Sequence, residues 1–180
     1  MAQITRRGKI TTFRTPSLSN PAFMTLGPDG NVWFGEGSTG RIASITPAGQ
    51  ITERQFSFFG VSVGITTGSD GNIWFSDQTD HAIWRYDLSS GVFTEFKTPT
   101  PNSFPGDMTL GDDGNVWFTD QNNTIWRFDQ STQDFHMFKV PAKYPSMMDF
   151  DSNGNLYYIG INSQSIFLGN ASRIQNATSE

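Results

Sequence analysis

The sequence contains no cysteine and only two histidines, and each shortage argues against a class of function. Without thiols the chain has no disulfides and no thiolate metal sites, although this absence does not identify a compartment. His81 and His136 occupy different places in the internal repeat described below. A joint metal-binding or acid-base role for these two side chains is therefore not expected.

Long apolar runs and positive charge are also lacking. No segment reaches the roughly 18 apolar residues of a membrane span, and the N-terminus lacks the apolar core of a signal peptide. Charged residues make up 16% of the chain and the formal net charge is −5, so there is no basic stripe for nucleic acid. We expect a soluble protein with neither a membrane span nor a nucleic-acid partner. Its location is open, with the cytoplasm and a virion both compatible.

Aromatic residues and one repeated motif are what the 180-residue chain has in abundance, with 16 Phe and 5 Trp. The motif occurs four times, as GPDGNVWFGE (27–36), GSDGNIWFSD (68–77), GDDGNVWFTD (111–120) and DSNGNLYYIG (151–160). Equivalent glycines are separated by 41, 43 and 40 residues. This period is typical of a four-stranded propeller blade. The sequence therefore predicts an all-β fold, a β-propeller of four four-stranded antiparallel blades in a single domain, 1–180.

Each copy is expected to contain four short strands, with the Asp-Gly pair forming the first hairpin turn. The copies span about 21–56, 62–97, 105–140 and 145–168. The last copy has a third strand near 165–168 but no fourth, and 169–180 is a polar tail. The N-terminal strand, 9–14, resembles the fourth strand of the second copy. It is predicted to complete the last blade and close a four-bladed ring; the alternative is a larger ring completed by a second chain.

Three acidic residues follow the second strands of the first three copies. Because second strands end on the face of the disk where inner strands begin, Glu36, Asp77 and Asp120 are predicted to lie on one rim. Hard oxygen ligands suit Mg²⁺ or Ca²⁺, so these residues are a candidate metal site. The alternative is that they cap local turns, with no cofactor bound.

Aromatic residues in the connections between copies are a second kind of candidate. The tryptophans recur in register within strands, which indicates packing between blades. Phe58, Phe59 and Phe104 lie in longer connections, where exposed apolar rings would form a binding surface. A protein partner or small ligand on one face of the disk is the expected occupant.

The motif G-x-D-G-N-[VI]-W-F-x-[ED], followed by GRIASITPAGQITE in the first copy, resembles the virginiamycin B lyase (streptogramin lyase) family of β-propellers. The resemblance implies a scaffold related to seven-bladed enzymes. Those enzymes open the macrocyclic ester of streptogramin B by a metal-assisted elimination that uses histidines at the start of inner strands and a glutamate. The positions matching those histidines are Ala22, Val63, Gly106 and Ser146. Glu36 alone matches the glutamate.

The residues thus favour a non-enzymatic binding or structural module, for example a component of a larger assembly such as a virion or phage tail. The rival hypothesis is a metal-dependent streptogramin-type C–O lyase that uses the three carboxylates. The four positions that match the lyase histidines favour the non-enzymatic hypothesis over the lyase hypothesis, because none of them is a histidine.

Overall fold

The computed structural model describes residues 1–161 and 166–170. Within these residues the structure consists of strands and turns, and it includes no helix long and apolar enough to cross a membrane. The described strands are β1 (Ala2–Ile4), β2 (Ile10–Thr12), β3 (Ala22–Leu26), β4 (Val32–Gly35), β5 (Arg41–Ile45), β6 (Ile51–Gln55), β7 (Ser62–Thr67), β8 (Ile73–Asp77), β9 (Ala82–Tyr86), β10 (Phe93–Lys97), β11 (Pro105–Leu110), β12 (Val116–Asp120), β13 (Thr124–Phe128), β14 (Phe135–Lys139), β15 (Pro145–Phe150), β16 (Asn155–Gly160) and β17 (Ile166–Asn170).

These strands form propeller blades, as the repeat predicts. Blade 1 is β3–β6, blade 2 is β7–β10 and blade 3 is β11–β14, each an antiparallel sheet with its strands in chain order. Blade 4 has three strands, β15–β17, in the described residues. The inner strands pack side by side in the order β3, β7, β11, β15. The all-β propeller class predicted from the repeat is therefore confirmed.

The repeated Asp-Gly pair builds the turn between the first two strands of a blade. Gly114 has φ of 75°, a left-handed conformation that glycine adopts without steric cost. The preceding Asp113 accepts hydrogen bonds from the backbone N–H of Asn115 and from the indole Nε1 of Trp117, each at 3.1 Å. Equivalent Asp-to-indole bonds occur in blades 1 and 2. One carboxylate thus fixes both the turn and the aromatic side chain that the blade presents to its neighbour.

Aromatic side chains fill the spaces between consecutive blades. Trp33 of blade 1 packs on Tyr86 of blade 2, with ring centroids 5.4 Å apart. Trp74 of blade 2 meets Phe128 of blade 3 at the same distance. Trp33 and Trp74 thus each reach from one face of their sheet to the third strand of the next blade. The core is therefore a series of similar interfaces between blades.

The predicted closure by the N-terminal strand is not confirmed. In the described residues β2 pairs with β1, in the register Ala2 to Thr12 and Ile4 to Ile10, and the last blade keeps three strands. The physical reason is that the chain folds back on itself at once, because Gly8 with φ of 80° permits a local hairpin. A nearby antiparallel partner is reached at a smaller loop-closure cost than one at the far end of the chain. The third strand predicted near 165–168 is observed from Ile166 on, whereas 171–180 of the polar tail lie outside the described residues.

This N-terminal hairpin, β1–β2, packs on blade 1. Met1 and Phe13 contact the core cluster of Phe34, Ala43 and Ile45. The N-terminal ammonium of Met1 donates to the carbonyl of Phe13, and the N–H of Phe13 donates to the carbonyl of Met1, each at 2.8 Å. The hairpin thus stands where the outer two strands of a preceding blade would stand, and the described residues form an arc of blades.

Candidate functional site

The candidate carboxylates lie where the second strand of each blade ends beside the start of its inner strand. There the pairing of inner and second strands is irregular in every blade, for example between Pro105 and Met108 in blade 3. Such a bulge frees backbone groups at the start of the inner strand. The carboxylates are therefore surrounded by unpaired loop N–H groups and hydroxyls, which are suitable donors.

Glu36 follows β4 directly and is fully buried. The hydroxyl of Ser19 donates a 2.8 Å hydrogen bond to its Oε1, while Oε2 has no hydrogen-bond partner within the described part of the chain. Burial raises the pKa of Glu36, and the nearby Glu53 adds to that rise, against the opposing Ser19 hydrogen bond and Arg41 charge. The Glu36 carboxyl therefore holds its proton to a higher pH than an exposed glutamate does.

Asp77, the last residue of β8, is equally buried. Its Oδ1 accepts the backbone N–H groups of Val61 at 3.0 Å and Thr79 at 2.9 Å. Its Oδ2 is buried without a hydrogen-bond partner among residues 1–161 and 166–170. Burial raises the pKa of Asp77 more than these two N–H bonds lower it. The side chain joins the loop before β7 to the loop after β8.

Asp120 at the end of β12 has the fullest set of donors. Its Oδ1 accepts the backbone N–H groups of Phe104 and Asn122, both at 3.1 Å. Its Oδ2 accepts the Ser103 hydroxyl and, at 3.3 Å, the indole N–H of Trp126. Both carboxylate oxygens of Asp120 are thus hydrogen-bonded.

The three carboxylates share one local task, which is to hold the loop that leads into the inner strand of their own blade. This is the turn-capping alternative raised by the sequence. Among the described residues, no three His, Cys, Asp or Glu side chains come together as a group that could hold a metal ion. The divalent-cation site at Glu36, Asp77 and Asp120 thus stays a prediction.

The three candidate phenylalanines flank one loop. Phe58 and Phe59 are 84% and 81% exposed in the connection between β6 and β7, and Phe104 is partly exposed before β11. The hydroxyl of Thr79 donates to the carbonyl of Phe59 at 3.1 Å, and the ring of His81 lies edge-on to Phe104 with centroids 5.4 Å apart. The 78–81 loop therefore lies between the exposed Phe pair and Phe104.

Sequence reasoning missed two roles of acidic residues. The Asp-to-indole bond could have been found, because an aspartate precedes a tryptophan by four residues in three successive copies. Asp107 offered no such signal, because the other copies of the repeat have no aspartate at the equivalent position. Its Oδ2 accepts the backbone N–H of Met148 across the interface between blades 3 and 4, at 3.0 Å. Burial raises the pKa of Asp107.

Comparison with known proteins gives structural neighbours only. The chain matches no family model and no curated protein sequence. Selenomethionine-substituted virginiamycin B lyase from Staphylococcus aureus superposes with a TM-score of 0.87 and 32% identity, over 95% of this chain and 59% of that one. A catalytically inactive variant of that lyase, solved with quinupristin, gives 0.88 and 32% over the same shares. A streptogramin B lyase structure gives 0.83 and 25%, over 93% of this chain and 60% of that one.

These neighbours show that the fold is that of the lyase-like β-propellers, which confirms the resemblance at the level of fold. The chain spans 59% to 60% of the length of these lyases. A more distant neighbour, Kuenenia stuttgartiensis hydrazine synthase, has 16% identity and a TM-score of 0.74, and it shares the fold alone.

Proposed function

We propose that the chain is a non-enzymatic binding or structural module built on a streptogramin-lyase-like propeller. The supporting observation is what stands at the four positions matching the lyase histidines, which all lie at the start of inner strands: Ala22, Val63, Gly106 and Ser146. None of these residues offers an imidazole that could act as a base or bind a metal. A scaffold of this kind can carry many functions, so the site residues decide the proposal.

The remaining lyase-like residue supports the same conclusion. Glu36 accepts a hydrogen bond from the Ser19 hydroxyl and is fully buried. A carboxyl that is fully buried and holds a loop has no open path to a substrate, so it is poorly placed to act as a general base. Glu36 therefore serves the loop before β3.

The binding surface of the module is the aromatic rim, which we define as Phe58, Phe59 and Phe104. Two adjacent phenylalanines more than four-fifths exposed are costly in water, and such apolar surface commonly marks a site of interaction. A protein partner or a small ligand would cover these rings. The setting of a larger assembly, such as a virion or phage tail, is supported only by the cysteine-free propeller scaffold.

The test of the non-enzymatic proposal is an assay for ring opening. The purified chain is incubated with quinupristin and millimolar Mg²⁺, and the products are followed by mass spectrometry. We expect no opening above the buffer rate. Opening that exceeds buffer and disappears in Glu36→Gln would overturn the proposal and establish an enzyme.

A metal-dependent lyase is the second candidate. The observation in its favour is that one oxygen each of Glu36 and Asp77 is buried without a partner in the described residues, where a cation or a proton would satisfy it. Thermal unfolding is measured with and without millimolar Mg²⁺ or Ca²⁺, with Asp77→Asn as the matched control. We expect little shift; stabilisation by several kcal/mol that the control loses would show a metal site.

A further inference from the structure

The arc of blades ends in two open faces. On blade 1, the inner-strand residue Met24 is 64% exposed, whereas the equivalent Ile65 and Met108 of blades 2 and 3 are each 5% exposed. On blade 4, Tyr157 is 40% exposed, whereas the tryptophans at its position in blades 1 to 3 are at most 2% exposed. Both differences arise because the equivalent residues in the other blades are covered by a neighbouring blade, whereas Met24 and Tyr157 are not.

The blade 1 face, centred on Met24 and Leu26, continues along β3. The two residues are separated by two positions and therefore point to the same side of the sheet. The blade 4 face is larger and is formed by cross-strand neighbours on β15, β16 and β17. Its exposed members are Met147, Tyr157, Ile159, Ile166 and Leu168. Paired residues share one side of a sheet, so these five form one apolar surface.

The two open faces are the two halves of an interface that the chain already builds between its own blades. In the closed interfaces the Tyr157 position packs with the Met24 position of the following blade. Trp33 shares a core cluster with Ile65, and Trp74 shares one with Met108. The blade 4 face therefore has the residue pattern that would pack against the inner strand of a blade such as blade 1.

Part of the space that a preceding blade would occupy is open beside blade 1. A cleft of about 280 Å³ lies between the N-terminal hairpin and blade 1, and its lining includes Met1, Phe13, Met24, Val32 and Ile45. The hairpin supplies the two outer strands of a preceding blade. The cleft therefore lies where side chains from the two inner strands of that blade would pack.

Charge favours the same pairing. Residues 1–14 carry Arg6, Arg7, Lys9 and Arg14 and no acidic residue, whereas residues 145–161 carry Asp149 and Asp151 and no basic residue. Opposite charge on two surfaces speeds their encounter and selects the partner. The blade 1 face and the blade 4 face are thus complementary in apolar pattern and in charge. Because every copy of the chain carries both faces, a second copy can cover each of them.

We propose that two copies of this chain associate head to tail, with blade 4 of each copy packed on blade 1 of the other. The inner strands β15 and β16 of one copy lie beside β1 of its partner, with their side chains in the cleft. Because both interfaces form at once, the pair closes around a two-fold axis. Two sets of four blades give eight, which lies within the common range for propellers.

Two strands compete for the third-strand position of the shared blade, namely β17 of one copy and β1 of the other. The hairpin is anchored by Met1 and Phe13 in the core of blade 1, while Ile166 and Leu168 of β17 are exposed. β17 is therefore displaced, and the face residues that remain in the interface are Met147, Tyr157 and Ile159 on β15 and β16. The shared blade then contains β15 and β16 from one chain and β1 and β2 from the other.

The test is the mass in solution, by analytical ultracentrifugation of the full chain and of three variants. Met24→Asp places a charge on the blade 1 face and Tyr157→Arg places one on the blade 4 face. The matched control, Val92→Asp, changes an exposed apolar residue in the turn between β9 and β10. We expect dimers for the wild type and control, and a dissociation constant raised on the order of 100-fold in each face variant.

Mixing the two face variants distinguishes the arrangement. In a head-to-tail pair a mixture of Met24→Asp and Tyr157→Arg retains one unmodified interface, so mixed dimers should form although neither variant dimerises alone. Raising NaCl from about 0.05 to about 0.5 M should weaken association, since screening reduces the attraction between the hairpin and blade 4. A monomeric wild type, or a mixture that stays monomeric, would overturn the proposal. A Tyr157→Arg variant that dimerises as the wild type does would also overturn it.

Discussion

At the scale of single residues, the three carboxylates on the rim differ in how completely they are hydrogen-bonded. Asp120 accepts bonds from four donors, Asp77 from two and Glu36 from one, although all are buried. An unmet oxygen in a buried place disfavours the charged form. Equivalent repeat positions therefore have different hydrogen-bond partners, which the sequence does not reveal because the donors come from loops of variable length.

Asp120→Ala should destabilise the protein by about 3 kcal/mol or more. The substitution leaves four buried donors without an acceptor, and each unmet group costs about 1 to 3 kcal/mol, partly relieved by water. Urea denaturation measures the free energy of unfolding. Glu36→Gln, which keeps an acceptor for its single Ser19 donor, serves as the control and should cost less. Equal losses in both variants would contradict this account of Asp120.

Asp77 should make stability depend on pH. Its folded pKa is raised above the ordinary 3.8, so the native state binds the proton more tightly than the unfolded chain. The resulting stability is complete below about 3.8 and is lost as the pH rises through the folded pKa. Asp77→Asn should therefore show a smaller fall in melting temperature from about pH 4 to pH 7 than the wild type.

The matched control for Asp77 is Asp129→Asn, which has the opposite sign. Hydrogen bonds from Ser131 and Thr132 lower the pKa of Asp129 to about 2. Its contribution is present above 3.8 and is lost as the pH falls toward about 2. The two variants should thus change the profile in separate pH windows, and changes in the same window would refute the assignment.

At the scale of strands and blades, the contribution of a repeat position to stability depends on whether another blade covers it. Trp117 and Tyr157 occupy the same place on β12 and β16, but Trp117 is buried against Phe150 of the next blade and Tyr157 is open. Trp117→Ala should cost about 3 to 5 kcal/mol in thermal unfolding. Tyr157→Ala, measured as monomer, should cost about 0.5 kcal/mol or less. Similar costs would mean that the Tyr157 face is covered.

Most of the strands could be predicted from the sequence, because the Asp-Gly turns and alternating side chains mark them locally. The third strand of blade 3, Thr124–Phe128, has the bounds expected from its pattern. β1 was missed because three residues, Ala2–Ile4, are too few to show a period. Ring closure and the metal site depend on which distant segments meet, and no local pattern carries that information.

At the scale of the whole molecule, the N-terminal hairpin covers blade 1. Deleting residues 1–14 removes Met1 and Phe13 from the cluster with Phe34 and Ile45. Full burial of one large apolar side chain is worth about 1.5 to 3 kcal/mol, and both side chains are partly buried, so the free energy of unfolding should fall by about 2 to 4 kcal/mol. Removing 171–180, which carries no strand pattern, is the control and should do little. An unchanged melting temperature after the N-terminal deletion would contradict the packing described for the hairpin.

Because Tyr157 stands where the other blades have a tryptophan, blade 4 differs from blades 1 to 3 in its chromophores. All five tryptophans lie in blades 1 to 3, whereas three of the four tyrosines, Tyr144, Tyr157 and Tyr158, lie in or beside blade 4. Indole emission thus follows the first three blades and senses the last one through Trp117, whose ring lies 5.5 Å from that of Phe150. Fraying of blade 4 would alter phenol absorbance while leaving most of the indole emission unchanged, so the two chromophores can time the loss of successive blades separately.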